Sequence, residues 1–166
     1  MSIILARVDD RIIHGQTMTR WVAKRPADCV IVISDAVAAD ALRTKVLKAA
    51  AGNLKFGVFS IEQGVAALEK ARNSHKRFFV ISDSIKGFAD LTRLGADYGG
   101  TLNIGNYSVG REGAVNLGNA FLLFEDDVKE LDYLAGKGID IQFQAIPDNP
   151  VKSWPTMKAK YESLLS

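Results

Sequence analysis

The 166-residue chain is long enough for one domain with a sizeable core, and its 48% hydrophobic and 24% charged residues describe a globular protein. A formal net charge of +2 with no long basic run points away from nucleic acid. No apolar stretch reaches the roughly 18 residues of a membrane span, the opening MSIILARVDDR lacks the basic start of a signal peptide, and the single Cys29 cannot form an internal disulfide, so a cytoplasmic location is expected.

In chain order, SIILARV reads as a first strand running straight into DDRIIHG. A helix is expected over residues 15 to 25, with Met18, Trp21 and Val22 at helical spacing. CVIVIS is the second strand, with Cys29 as a small core residue. Residues 36 to 51 read as one helix carrying Ala38, Ala41, Leu42, Lys45 and Val46 behind an Asp35 N-cap. KFGVFS follows, then a helix over 61 to 72 opened by Ser60 with Gln63 three residues on, a capping box. After RFFVIS, residues 84 to 94 carry Ile85, Phe88, Leu91 and Leu94 and stop at Gly95. TLNIG, AFLLF and IDIQFQAI complete the strands. A helix over 126 to 135 stops at Gly136, and a last one over 155 to 165 has Pro155 at its first position.

These strand segments are nearly continuous in apolar residues, the pattern of strands buried on both faces. With helices between them, they predict a single α/β domain over residues 1–166: a doubly wound, mostly parallel sheet with helices on both faces. Half of the 14 glycines fall between Gly95 and Gly118. That stretch is either a surface loop with turns or a loop whose backbone must approach a ligand or partner.

The densest chemistry lies in DDRIIHGQ. Ligands of open parallel sheets bind beyond the carboxyl ends of the strands, which is where His14 would sit. The following helix would aim free amides and a positive dipole end at an anion. Gly15 leaves room for a phosphoryl group, and Arg11 offers a forked guanidinium. Asp9 and Asp10 could orient Arg11, hold a histidine tautomer or cap the helix. A free histidine is largely neutral near pH 7, so such an imidazole can attack phosphorus in line. Residue chemistry alone leaves His14 between this nucleophile and a solvated side chain in a charged turn. No metal spacing such as H-x-x-x-H occurs, nor a G-x-S-x-G elbow, nor a G-x-G-x-x-G after the first strand.

The string RVDDRIIHGQTMTRW resembles the active-site segment of the IIB subunits of the mannose/fructose/sorbose family of the bacterial sugar phosphotransferase system, R-[IV]-D-[DE]-R-[LI]-[IV]-H-G-Q. VIVISDAVAADALRTKVLKAAA, LNIGNYSVGREG and LDYLAGKGIDIQFQAIPDNP extend the resemblance over nearly the whole chain. It implies a phosphorelay: a IIA protein passes phosphate from its own histidine to His14, and the IIB protein passes it to a hexose brought in through the membrane subunits IIC and IID. It further implies that Arg11, Gly15 and Gln16 bind phosphate and that Asp10 and Asp9 support them. Asp83, Ser84, Asn106 and Ser108 are expected at the border of the site. No metal or cofactor is implied. The protein would meet the membrane only through its partners, take its phosphate from a IIA acting in trans, and could form a homo-oligomer. Arg7, Arg11, Arg20 and Lys24 suggest a basic rim for acidic or phosphate-bearing partners, although a solvated helix face explains Arg20 and Lys24 equally. Tyr107 replaces the family's usual Met, and SDSIKG replaces its T-N-P or K-N-P turn. The competing reading is a regulatory or small-molecule-binding α/β module without the relay. A histidine phosphomonoesterase fits less well, because two isoleucines separate Arg11 from His14.

Overall fold

Alternating side chains of the strands feed two separate cores, which is why the strands are apolar throughout. The computed structural model describes residues 2–118 and 120–165, and leaves the side chains of residues 15–17 undescribed. The strands are β1 (Ile3–Val8), β2 (Cys29–Ile33), β3 (Lys55–Phe59), β4 (Phe78–Ser82), β5 (Thr101–Ile104), β6 (Val115–Asn116), β7 (Leu122–Leu123), β8 (Asp140–Phe143) and β9 (Lys152–Ser153). The helices are α1 (Gly15–Lys24), α2 (Asp35–Ala38), α3 (Ala41–Ala50), α4 (Ile61–Arg72), α5 (Ile85–Arg93), α6 (Glu125–Gly136) and α7 (Trp154–Leu165). Seven strands form one sheet in the order β3-β2-β4-β1-β5-β8-β9, parallel except for β9.

On one face Ala6, Val8, Ile31, Ile33, Val80, Leu102 and Ile104 pack against α4, α5, α6 and α7. On the other, Leu5, Val30, Val32, Phe79 and Ile81 pack against Met18 and Trp21 of α1, Val37 of α2 and Leu47 of α3. The expected doubly wound sheet with helices on both faces is therefore present. A register shift between Ile3 and Leu5 marks a bulge in β1. It turns Ile4 and Leu5 to the same core, and Arg7 follows on that face.

Five expectations are corrected. The helix over 36 to 51 is two helices, because Asp40 caps a fresh start at Arg43 N. The break resets the helical phase, so Leu42 and Val46 stay exposed while Leu47 and Ala51 are buried. The cap before this pair is Ser34 rather than Asp35, whose Oδ1 instead accepts from Ile61 N at 2.8 Å. AFLLF contributes only β7, which pairs with β6 in a separate antiparallel ribbon, since β8 already occupies the edge of β5. Gly136 belongs to α6, and the left-handed turn that ends it falls on Gly138 (φ 86°). The last helix starts one residue early, at Trp154. The Ser60–Gln63 capping box forms as expected, with both bonds present.

Tyr98 shows how tightly the helical side is packed. Its ring meets Phe88 edge-on at 4.9 Å, and its hydroxyl shares a 2.7 Å bond with Thr92 Oγ1. Burial pushes the phenol up to about 12 from an ordinary 10.0. The folded state thus holds its proton more firmly than the unfolded state. The stabilisation is complete below pH 10 and disappears as pH rises toward 12, a loss on the order of 2 kcal/mol. Tyr98→Phe should show a shallower fall of Tm through this alkaline window than the parent protein. Tyr107 and Arg7 also titrate there but are common to both proteins, so parallel curves would contradict the assignment.

Candidate active site at the carboxyl end of β1

β1 ends between β4 and β5, and the chain beyond it remains tied to both. Asp9 N donates to Ser82 O at 2.9 Å, and Asp10 N donates to Asn106 O at 2.8 Å. From there α1 goes to one face of the sheet, while α5 and the segment after β5 go to the other. This divergence opens the crevice in which parallel α/β sheets place their ligands.

Inside the crevice, Asp9 organises the turn. It is fully buried; its Oδ1 accepts from Arg11 N at 3.0 Å and its backbone oxygen from Ile12 N at 2.9 Å. Ile12 takes a positive φ of 65°, a strained conformation for a β-branched residue. The kink sends both Ile12 and Ile13 into the core beside Met18 and Trp21. The two isoleucines that separate Arg11 from His14 in sequence are thus the anchor of the loop. Arg11 is left exposed, and its guanidinium has no hydrogen bond or ion pair among the described residues.

His14 occupies the N-cap of α1 with φ −150° and ψ 136°, and its side chain does not cap the helix. Its side chain is 25% exposed, with Nε2 3.4 Å from both Asp9 carboxylate oxygens. Asn106 Nδ2 lies 3.3 Å from the same nitrogen and 3.4 Å from Asp9 Oδ2. A lone pair facing a buried carboxylate is repulsive, so Nε2 carries the proton and points it at Asp9, toward which Asn106 also donates. Nδ1 is then the basic ring nitrogen. Of the tasks open to Asp9, holding the histidine tautomer is the one its position serves.

The carboxylate of Asp9 is buried beside a buried cation. Arg7 NH2 lies 3.4 Å from Asp9 Oδ2, and Arg7 also donates to Asn103 Oδ1, Gln144 O and Ala145 O. Its Cζ sits 5.0 Å from the Trp21 ring centre. Burial pushes the guanidinium down to about 10, with Asp9 opposing the shift, so it remains charged at neutral pH. Arg7 is 2% exposed and does not belong to a basic rim. Gly105 follows from this geometry, since a Cβ there would collide with the guanidinium.

Asp10 neither orients Arg11 nor caps α1. Its Oδ2 accepts from Ser108 N at 2.6 Å and Val109 N at 2.8 Å, clamping the glycine-rich loop over the turn. The far end of that loop is pinned by Arg111, which pairs with Asp127 and lies 4.1 Å over Tyr107 and 4.8 Å over Phe124. The backbone of the glycine-rich loop thus reaches the turn that carries His14. Asp10→Ala should release it: Ser108 and Val109 amides would exchange with solvent at least about tenfold faster, at a stability cost of about 1–3 kcal/mol. Unchanged exchange at these amides would show that the clamp is held elsewhere.

The structure gathers His14, Asp9, Asp10, Arg11 and Asn106 into one place, with Ser108 contributing its backbone rather than its hydroxyl. Ser84 serves α5 as N-cap, accepting from Gly87 N at 3.0 Å, and half-buried Asp83 precedes it. Tyr107 is buried and directs its hydroxyl to Asp127 at 3.3 Å, away from His14. Gly15 opens α1, while the side chain of Gln16 lies outside the described residues. Arg20 is exposed and pairs with Asp148 at 3.1 Å. Asn103 and Gln144 went unnoticed in the sequence, because nothing local marks a polar strand residue that must satisfy a distant buried arginine. Among the described residues no cluster of His, Cys, Asp and Glu could hold a metal ion, and no helix is long and apolar enough to cross a membrane.

Fold and site together define an α/β protein with a histidine-centred polar turn at the switch point of a parallel sheet. The chain belongs to the family of PTS system sorbose subfamily IIB components, whose model matches residues 3–165. It is 30% identical over 151 residues to the sorbose-specific EIIB component of Lacticaseibacillus casei, covering 90% of this chain and 91% of that one. It is 29% identical over 150 residues to the fructose-specific EIIB component of Bacillus subtilis, with the same coverage. Against the mannose-specific EIIAB component of Escherichia coli it is 28% identical but spans 46% of that protein. The crystal structure of the IIBSor domain of the sorbose permease from Klebsiella pneumoniae superposes with a TM-score of 0.87 at 28% identity, covering 96% of this chain and 98% of that one.

Proposed function

We propose that residues 1–166 act as one IIB phosphocarrier domain: His14 accepts a phosphoryl group from the phosphohistidine of a IIA protein and delivers it to a hexose during uptake through IIC and IID. The observation that carries this reading is the paired placement of His14 and Arg11. The imidazole stands at the head of a ten-residue helix with Nε2 turned to Asp9, and Arg11, whose backbone N–H bonds the same carboxylate, keeps an exposed side chain with no hydrogen bond or ion pair among the described residues.

In the proposed step the Nδ1 lone pair of His14 attacks phosphorus as the bond to the donor histidine nitrogen breaks. The electron pair of that bond returns to the donor imidazole. The Nε2 proton stays directed at Asp9, which offsets the positive charge that develops on the ring. Arg11 and the free amides of the first turn of α1 meet the phosphoryl oxygens. In the second step the sugar hydroxyl oxygen bonds phosphorus as the P–Nδ1 bond breaks; that electron pair returns to the imidazole, the hydroxyl proton is released to solvent, and His14 is restored with its proton on Nε2. The names of the relatives point to a hexose of the sorbose, fructose, mannose or N-acetylgalactosamine kind. The protein works in the cytoplasm, at the membrane only through IIC and IID.

Incubation with a phosphorylated IIA tests the reading. One acid-labile phosphoryl group per chain, mapped to Nδ1 of His14, is expected; a label elsewhere, or none, would overturn it. Arg11→Ala should slow transfer by about 10²–10³-fold with little change in Tm, because it removes a charge-stabilising group from an exposed loop position.

A further inference from the structure

The open edge of the sheet carries a second kind of information. β3 ends the sheet and is covered by a partner strand on one side only. Lys55 N donates to Asp28 O at 3.1 Å and Ser34 N donates to Phe59 O at 2.9 Å, so the backbone groups of Lys55, Gly57 and Phe59 turn inward to β2. In a parallel ladder the intervening residues, Phe56 and Val58, then turn their N–H and C=O groups outward. Edge strands are commonly blunted by a proline, a bulge or a covering element. β3 has no proline and pairs in unbroken register, and its one charge, Lys55, stands at the end. Beside it runs an open groove of about 750 Å³ between β3 and α4, walled by Gly57, Phe59, Gln63, Ala66, Ala67 and Lys70.

We propose that this edge pairs with the β3 edge of a second copy of the chain, antiparallel and centred on Gly57. That register alone places Phe56 opposite Val58 of the partner and Val58 opposite Phe56, so that each outward N–H meets an outward C=O. It brings the two Gly57 residues to a close, non-hydrogen-bonded pair with Cα atoms about 4.5 Å apart, where the missing side chains leave the groove open. The small, exposed Ala66 on α4 lies along the same groove, so the two α4 helices can approach across the dyad.

Charge selects a second copy over an unrelated strand. One end of β3 is basic: Lys55 is exposed and in contact with Lys76, which pulls its ammonium below the ordinary lysine value, and Lys70 lines the groove. The other end is acidic, with exposed Asp35 and Glu62 beside the turn into α4. A two-fold axis through Gly57 sets Lys55 opposite Phe59 of the copy, alongside that acidic turn. Each basic end thereby meets an acidic end, and a self-complementary patch of this kind is what an isologous interface requires. The strands run in opposite directions across the dyad, so the two His14 sites face opposite ends of a continuous sheet, both open to partners.

Sedimentation velocity from about 1 to 300 µM, the span where a modest interface associates, reads the outcome directly. The parent protein should shift from monomer to dimer, and added salt should weaken the shift. The Phe56 and Val58 amides should exchange more slowly as concentration rises. Val58→Pro removes an outward N–H without costing a bond inside the sheet, and Ala66→Glu sets two carboxylates against each other on an exposed helical position. Both variants should associate at least about tenfold more weakly, a loss of about 1.4 kcal/mol. Circular dichroism checks that Val58→Pro is folded, and Ala66→Glu decides the matter if it is not. A parent protein that stays monomeric throughout overturns the proposal and leaves the edge to a strand of another protein. A dimer that survives Ala66→Glu with concentration-independent exchange at Phe56 and Val58 also overturns it.

Discussion

His14→Gln is expected to abolish phosphoryl acceptance from a phosphorylated IIA while leaving the fold in place. The substitution removes the nitrogen to which phosphorus bonds, so transfer should vanish rather than slow. The fold should tolerate it for two reasons. The imidazole is 25% exposed and contributes no cap to α1. A glutamine amide can also direct an N–H toward Asp9, where Nε2 now points, so the buried carboxylate keeps a donor. The Tm should therefore change by no more than about 3 °C, as for other substitutions away from the core. A phosphorylated His14→Gln protein would move the acceptor elsewhere. Loss of transfer together with collapse of the melting transition would make His14 a structural residue instead.

Arg7→Met should produce the largest loss of stability of any change near the site. The side chain fits the space, but it leaves the carboxylate of Asp9 and the acceptors of Asn103, Gln144 and Ala145 without their shared donor, all in or beside the core. Breaking a buried ion pair from one side costs about 3–5 kcal/mol. For a chain of this length each kcal/mol moves Tm by about 2–4 °C, so a fall of roughly 6–20 °C should appear in a thermal melt. Arg7→Lys should rescue little, because one ammonium cannot serve the sites that the planar fork reaches together. Adding Asp9→Asn to Arg7→Met should restore part of the loss, since it removes the stranded charge. A melting point within about 2 °C of the parent would show that the network contributes little to folding.

The sheet was readable because its strands are apolar at consecutive positions, and only burial on both faces accounts for that. The capping box at Ser60 and Gln63 was readable for a similar reason: its spacing is local and each bond closes within one turn. The break at Asp40 was not legible. Ala39 carries no breaking signal, and whether Asp40 continues a helix or caps a new one depends on which side chains the core accepts. AFLLF failed as a sheet strand for a long-range reason, because the edge it would have filled was taken by β8, from a later part of the chain.

The sequence by itself determined the identities at the site, the β-to-helix placement of DDRIIHGQ and the presence of an imidazole and a guanidinium where a helix begins. These follow from local spacing, which no distant contact can alter. Only the tertiary structure decided what the two carboxylates do. Asp9 faces His14 because Arg7, Asn103 and Gln144, from three different strands or their ends, meet in one buried network. Asp10 points the other way because the loop after β5 returns its Ser108 and Val109 amides to the crevice. Two adjacent and chemically identical side chains leave the backbone in opposite directions: Asp9 serves its near neighbours Arg7, Arg11 and His14 inside a network closed by distant strands, while Asp10 takes its partners from about a hundred residues away.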